Sequence, residues 1–201
     1  MKKALAVLVL TAMFLPALVA KGPKLPKAFK GIKVPADYVE MTIPEGEVIV
    51  MDDFEDGLYW DKTGWPNDFV AGVTLSSDWG SNGPNSLKVT YSEQPGGDKG
   101  TITCTSPLET DWTGAKYVVL DIGNASNAPV DLVVVLQTGE TWIWTQTDPI
   151  RCPAGIHSLV FDISNFPNLE IIDQMFICCV NWEGDTSPSG SFYLDNYRII
   201  K

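Results

Sequence analysis

The chain has 201 residues, with 25 Asp and Glu against 14 Lys and Arg, for a formal net charge of −11. Beyond the first 47 positions the basic residues are scattered singly (Lys62, Lys88, Lys99, Lys116, Arg151, Arg198, Lys201). No stripe of cations is available for phosphate contacts, which excludes nucleic acid as a partner.

Residues 1–20 read as a secretory signal peptide. Lys2 and Lys3 form a charged start, residues 4–15 are an apolar run, Pro16 breaks it, and Leu18-Val19-Ala20 supplies small residues for cleavage. The run is shorter than the roughly 20 residues that span a bilayer, so no membrane span is expected. The protein is therefore expected to be secreted, at the cell surface or periplasmic.

Residues 21–47 read as a Lys/Pro-rich tether. Pro23, Pro26, Pro35 and Pro44 punctuate it, and Lys21, Lys24, Lys27, Lys30 and Lys33 recur every third residue. That period places the lysines along one side of a polyproline-II-like strand. A solvated spacer is the expectation.

Residues 48–201 suffice for one domain with a real core. Strands are predicted at 86–91, 101–105, 117–122, 131–137, 142–147, 157–163, 175–182 and 191–200, all rich in β-branched or aromatic residues. Clusters at 80–85, 94–98 and 187–190 mark turns. A short helical turn is predicted only within 166–173. Many strands at short spacing imply an all-β sandwich or barrel. Cys104, Cys152, Cys178 and Cys179 have no zinc-site spacing, and a bridge from Cys104 to one of the adjacent pair requires their strands to be neighbours.

The hairpin at 131–147 is the most informative segment. With a two-residue loop at 138–139 or 139–140, period-two alternation puts Val133, Val135 and Gln137 on one face with Trp142, Trp144 and Gln146. Leu132, Val134, Leu136, Ile143 and Thr145 take the other face, which is the better core. Two tryptophans and two amides are then expected to face outward. An indole stacks on the C–H face of a sugar ring, and a Gln amide offers both donor and acceptor to its hydroxyls. Trp182, at a strand end, is a candidate for the same cleft. Trp60, Trp65 and Trp79 are read as packing residues, one of which closes the groove, and Trp112 as a structural plug.

The string Asp52-Asp53-Phe54-Glu55-Asp56-Gly57, followed by Trp60, resembles the first strand of galactose-binding-like jelly-roll modules. Asn85-Ser86-Leu87-Lys88-Val89-Thr90-Tyr91 resembles a later strand, with Asn85 where a small residue is usual. The stretches at 117–122, 157–163 and 192–199 follow in the expected order. The resemblance is to carbohydrate-binding modules associated with polysaccharide-degrading enzymes. It implies a jelly-roll β-sandwich of two antiparallel sheets. It also implies a concave binding sheet formed by strands at 69–76, 101–105, 131–137, 142–147 and 175–182. Finally, it implies a structural Ca2+ held by Glu55 and Asp195, with Asp53 as a third ligand; calcium takes six to eight oxygens.

Catalysis is not expected. His157, the only histidine, has no evident Ser or Cys partner, and Glu140, at a hairpin tip, is the one acid that stands out in the binding strands, where a glycosidase needs a pair. The expected ligand is a polysaccharide or oligosaccharide. The competing expectation is a structural cell-surface or filament-sheath protein that uses the same sandwich to bind surface protein partners.

Overall fold

Runs that alternate between apolar and polar residues form strands whose apolar sides need a partner layer, and two sheets supply it. A computed structural model describes residues 26–66, 68–93, 99–180 and 189–201. The signal-peptide expectation, the start of the tether, the turn at 94–98 and the Trp182 candidate lie outside the described residues. In chain order the strands are β1 (Val48–Asp52), β2 (Asp61–Lys62), β3 (Val70–Ser76), β4 (Ser86–Tyr91), β5 (Lys99–Cys104), β6 (Tyr117–Asn124), β7 (Val130–Thr138), β8 (Ile143–Gln146), β9 (Ile150–Cys152), β10 (Gly155–Asp162), β11 (Ile172–Val180) and β12 (Gly190–Ile200).

One sheet runs β10-β6-β12-β4-β3, with β1 also paired to β12; the second runs β2-β5-β11-β7-β8, with β9 paired to β7. Every pairing is antiparallel. The result is the expected jelly-roll sandwich. The main core lies between the sheets and includes Leu87, Leu120, Leu132, Val134, Leu136, Ile177 and Leu194. Trp60 and Trp112 flank Tyr197 there, at ring-centroid distances of 5.8 and 6.1 Å. Trp112 is fully buried, donates its indole N–H to the Glu109 carbonyl, and plugs the core as expected.

Four expectations are corrected. β3 pairs with β4 in the first sheet, so the stretch at 69–76 is not part of the second sheet. Of the first-strand motif Asp52–Gly57 only Asp52 is strand, the end of β1; Phe54 turns into the core with φ 58°. The segment at 166–173 makes hydrogen-bonded turns (Ile171 N–H to the Asn168 carbonyl) rather than a helix. All four cysteines are buried and free. β5 and β11 are neighbours, but Cys104 lies opposite Met175, three and four residues from Cys178 and Cys179. That offset is roughly 10–13 Å along the strand, beyond the ~7 Å reach of a disulfide.

The tether expectation also changes. Residues 26–47 form a strap packed on the first sheet rather than a solvated spacer. A 3-10 turn (Lys27–Phe29) presents Phe29, 1% exposed, to Trp79 and Tyr193 at centroid distances of 6.0 and 5.7 Å. β6 makes room for that ring with Gly123, where an added Cβ would lie 2.5 Å from Phe29 Cζ. Farther on, Glu40 Oε1 lies 2.9 Å from His157 Nδ1, and Tyr38 packs edge-on to the imidazole. Burial, with Glu40 beside it, pushes the Tyr38 hydroxyl up to about 12. Val160 of the edge strand β10 donates its backbone N–H to Met41 Sδ. Phe29 among the lysines, with Tyr38 and Met41 after them, therefore decides the path of this segment. The single histidine is an anchor for it.

Candidate functional site

The hairpin register decides which side chains share a face. β7 pairs with β8 through Val135↔Gln146, Leu136↔Thr145, Gln137↔Trp144 and Thr138↔Ile143. The loop is thus four residues long, with Gly139 at φ 71° and Trp142 at φ 55°. Lengthening a two-residue loop by two preserves parity, so Trp144 and Gln146 still share the outer face with Val133, Val135 and Gln137. Trp142 does not. It belongs to the turn, donates its backbone N–H to Gly139, and is 60% exposed.

Neighbouring strands complete the outer face. β11 places Gln174 opposite Gln137 and Phe176 opposite Val135. β5 adds Lys99, Thr101 and Thr103 in register with Val180, Cys178 and Phe176. The indole of Trp144 lies 4.9 Å from the Phe176 ring. Trp65 closes the group at 5.8 Å from Trp144 and 5.9 Å from Phe176. Beneath them Val133, Val135, Cys178 and Val180 form a buried apolar floor. Trp65 itself is 39% exposed, and Trp144 is partly so. The indoles are tilted by 45° to each other, a cluster rather than a coplanar pair.

Trp65 stands on a loop held by Asp68. Its carboxylate accepts from the Thr63 hydroxyl at 2.6 Å and from the backbone N–H groups of Val70 and Thr101. The loop is thereby fixed to β5, which carries Lys99. The Lys99 ammonium lies 5.3 Å from the Trp65 ring centroid and 5.4 Å from that of Trp144.

The site thus contains Trp144, Gln137 and Gln146 from the sequence reading, with Trp142 at its margin. Trp65 is the tryptophan that joins them; Trp60 and Trp79 are buried elsewhere. Sequence reasoning missed Gln174, Phe176 and Lys99. Extending the β11 alternation one residue toward its start would have found Gln174 beside Phe176.

The three proposed calcium ligands sit on the first sheet, away from this face. Glu55 accepts from Asn85 twice, at the backbone N–H (2.8 Å) and the side-chain amide (2.7 Å). Asp195 accepts from the backbone N–H groups of Ser81, Asn82 and Asn196 and from the Ser81 hydroxyl. Asp53 accepts from the Glu55 backbone N–H. All four oxygens of Glu55 and Asp195 face N–H or O–H donors, whereas calcium requires oxygen lone pairs around it. Among the described residues no three His, Cys, Asp or Glu side chains converge. This donor set does not fit a calcium ion. We expect the melting temperature to be the same in millimolar calcium and in EDTA; a calcium-dependent rise would mean that loop 80–85 turns its carbonyls toward the two acids.

Between the strap's apolar contacts lies a buried polar knot. Asp121 accepts from Ser81, Ser158, Asn196 and Arg198, at 2.8, 2.6, 3.0 and 3.1 Å. Burial alone would raise its carboxyl, but these donors outweigh it and hold Asp121 below the usual 3.8. Burial prevails at the facing Asp195, which is raised. A depressed carboxyl contributes stability above its unfolded value and loses it as pH falls through the lower folded value. Asp121→Asn should therefore cost about 1.5–3 kcal/mol at pH 7, a deficit that vanishes in melts below the folded value of Asp121. A deficit unchanged by acid would contradict this assignment.

Comparisons with known proteins follow the geometry. No protein-family model matches the sequence, and neither does any curated protein. Solved structures do match, and they define the class: a jelly-roll β-sandwich of the kind seen in carbohydrate-binding modules. A family 11 carbohydrate-binding module from Clostridium thermocellum, in complex with a beta-1,3-1,4-mixed-linked tetrasaccharide, superposes with a TM-score of 0.58 at 16% identity. The match covers 78% of this chain and 97% of that one. A module specific for non-crystalline cellulose (CBM28) gives 0.55 at 18%, over 79% and 97% of the two chains. A CBM27 module from Caldicellulosiruptor saccharolyticus, in complex with mannohexaose, also gives 0.55 at 18%, over 78% and 98%. At such identities the likeness is one of fold. Among the described residues no helix is long and apolar enough to cross a membrane.

Proposed function

We propose that this is a secreted, non-catalytic carbohydrate-binding protein that holds a polysaccharide or oligosaccharide on the outer face of its second sheet. One observation carries the reading. The strap covers the outer face of the first sheet, while the second sheet presents Trp65 and Trp144 over Phe176, bordered by Gln137, Gln146 and Gln174. Indoles stack on sugar C–H faces, and the amides supply paired donors and acceptors for hydroxyls. Each such hydrogen bond nets only about 0.5–1.5 kcal/mol, so affinity is modest and built from several contacts. The fold relatives named above are modules that bind saccharides, which agrees with the reading.

Hydrolysis would need two carboxylates set across the bound sugar. Of the nearby acids, Asp131 is held by Arg151 at 2.9 and 3.0 Å, and Asp68 is used to fix the Trp65 loop. His157 is engaged with the strap. The test is affinity electrophoresis in gels containing soluble plant, algal or microbial polysaccharides. Retardation in at least one of them supports binding; no retardation by any, together with self-association of the protein, favours a surface-assembly role.

A further inference from the structure

We propose that Lys99 makes this face selective for sugars bearing an anionic substituent, a uronate carboxylate or a sulfate ester. The inference rests on the glycan-binding reading above and names its ligand class. Lys99 opens β5, and its ammonium rests over both exposed indoles of the cluster, 5.3 and 5.4 Å from their centroids. A ring face satisfies the charge in part, but it accepts none of the three N–H donors in a full hydrogen bond. Among the described residues no carboxylate pairs with Lys99.

Among the described residues, the acids nearest Lys99 in the sheet are occupied or stand farther along it. Asp131 shares the Lys99 row across Val180 and is bound bidentately by Arg151. Asp68 accepts three hydrogen bonds from Thr63, Val70 and Thr101. Asp61 lies opposite Thr103, four residues along β5 from Lys99. Of the rows that carry the aromatic cluster, one holds Asp61 at its β2 end, followed by Thr103, Phe176, Val135 and Gln146, and the next is neutral, with Gln174, Gln137 and Trp144. In a chain of net charge −11, the charge placed over the two indoles is positive. A sugar lying against Trp65 or Trp144 brings its ring substituents beside the ammonium, where an anion gains a charge-assisted hydrogen bond that a hydroxyl does not. Repulsion from the acidic remainder acts over longer distances and is screened at physiological salt; a contact pair is screened less.

The experiment is calorimetric titration of the wild type, Lys99→Met and Lys99→Arg with polygalacturonate, its carboxyl-reduced neutral form and a sulfated form of that neutral polymer. Met keeps the apolar stem over the indoles and removes the charge. We expect the wild type to bind at least one anionic polymer roughly tenfold tighter than the neutral one, worth about 1.4 kcal/mol. Lys99→Met should erase that preference, and Lys99→Arg should retain it. Whichever anionic polymer shows the Lys99-dependent preference identifies carboxylate or sulfate as the group read. Equal binding of neutral and anionic polymers by the wild type, or a preference unchanged in Lys99→Met, overturns the proposal. If neutral polymer alone binds and Trp144→Ala abolishes it, the platform stands and only the Lys99 role fails. If the wild type binds no saccharide in a broad screen, the glycan reading itself fails.

Discussion

Trp144→Ala should lose glycan retention altogether while the sandwich stays folded. The indole is the hinge of the aromatic cluster, packed on Phe176 and facing Trp65. Its loss removes one stacking surface and frees the Trp65 ring that leans on it. Central aromatic anchors of this kind are each worth 2 kcal/mol or more, so affinity should fall by roughly thirtyfold or beyond. Stability should drop by less than the 3–5 kcal/mol typical of a fully buried tryptophan, because Trp144 is only partly buried and its strand lies at the sheet edge. Trp142→Ala is the internal control. Trp142 stands on the turn, so its removal should weaken binding far less. Affinity electrophoresis with near-ultraviolet circular dichroism reads both effects; equal losses for the two variants would place the binding surface at the hairpin tip instead.

The second large effect concerns the strap. Phe29→Ala should destabilise the protein by about 3–4 kcal/mol, the usual cost of emptying a buried aromatic site. For a chain of this size that lowers the melting temperature by roughly 10 °C. The ring is gripped by Trp79, Tyr193 and the gap over Gly123, so little can collapse into the space. Deleting residues 26–46 should be worse, because it bares Tyr193, Val119 and Val160 on the outer sheet face and the edge strand β10. A variant without the strap that melts like the full chain would show that residues 26–46 are the spacer that their prolines and lysines suggest.

The hairpin face was legible because alternation survives an error in loop length. Any even change in the loop keeps Gln137, Trp144 and Gln146 together, whereas the identity of the loop residues does not survive, and Trp142 was lost that way. Sheet membership was less legible. β3 pairs with β4, the next strand in the chain, a local pairing that the sheet assignment implied by the resemblance passed over. The strap was misread for a different reason. Lysine every third residue is a surface pattern, and the anchors, Phe29 between the lysines and Tyr38 and Met41 beyond them, take their meaning from Gly123, His157 and the edge of β10, over a hundred residues away in two cases. Glu55 and Asp195 were read, through the resemblance, as calcium ligands, and both accept from the loop at 80–85. Their partners are its N–H groups and Asn85 rather than a cation, which only the loop conformation reveals.

Tryptophan side-chain NMR tests the central claim most directly. The indole N–H groups of Trp60 and Trp112 are hydrogen-bonded in the core to Asp52 and to the Glu109 carbonyl, and Trp79 lies under the strap. Titrating a retained oligosaccharide should shift the indole resonances of Trp144 and Trp65 and leave those of Trp60, Trp79 and Trp112 in place. Shifts at Trp79 with Trp144 and Trp65 unmoved would put the ligand on the strap side and contradict the account.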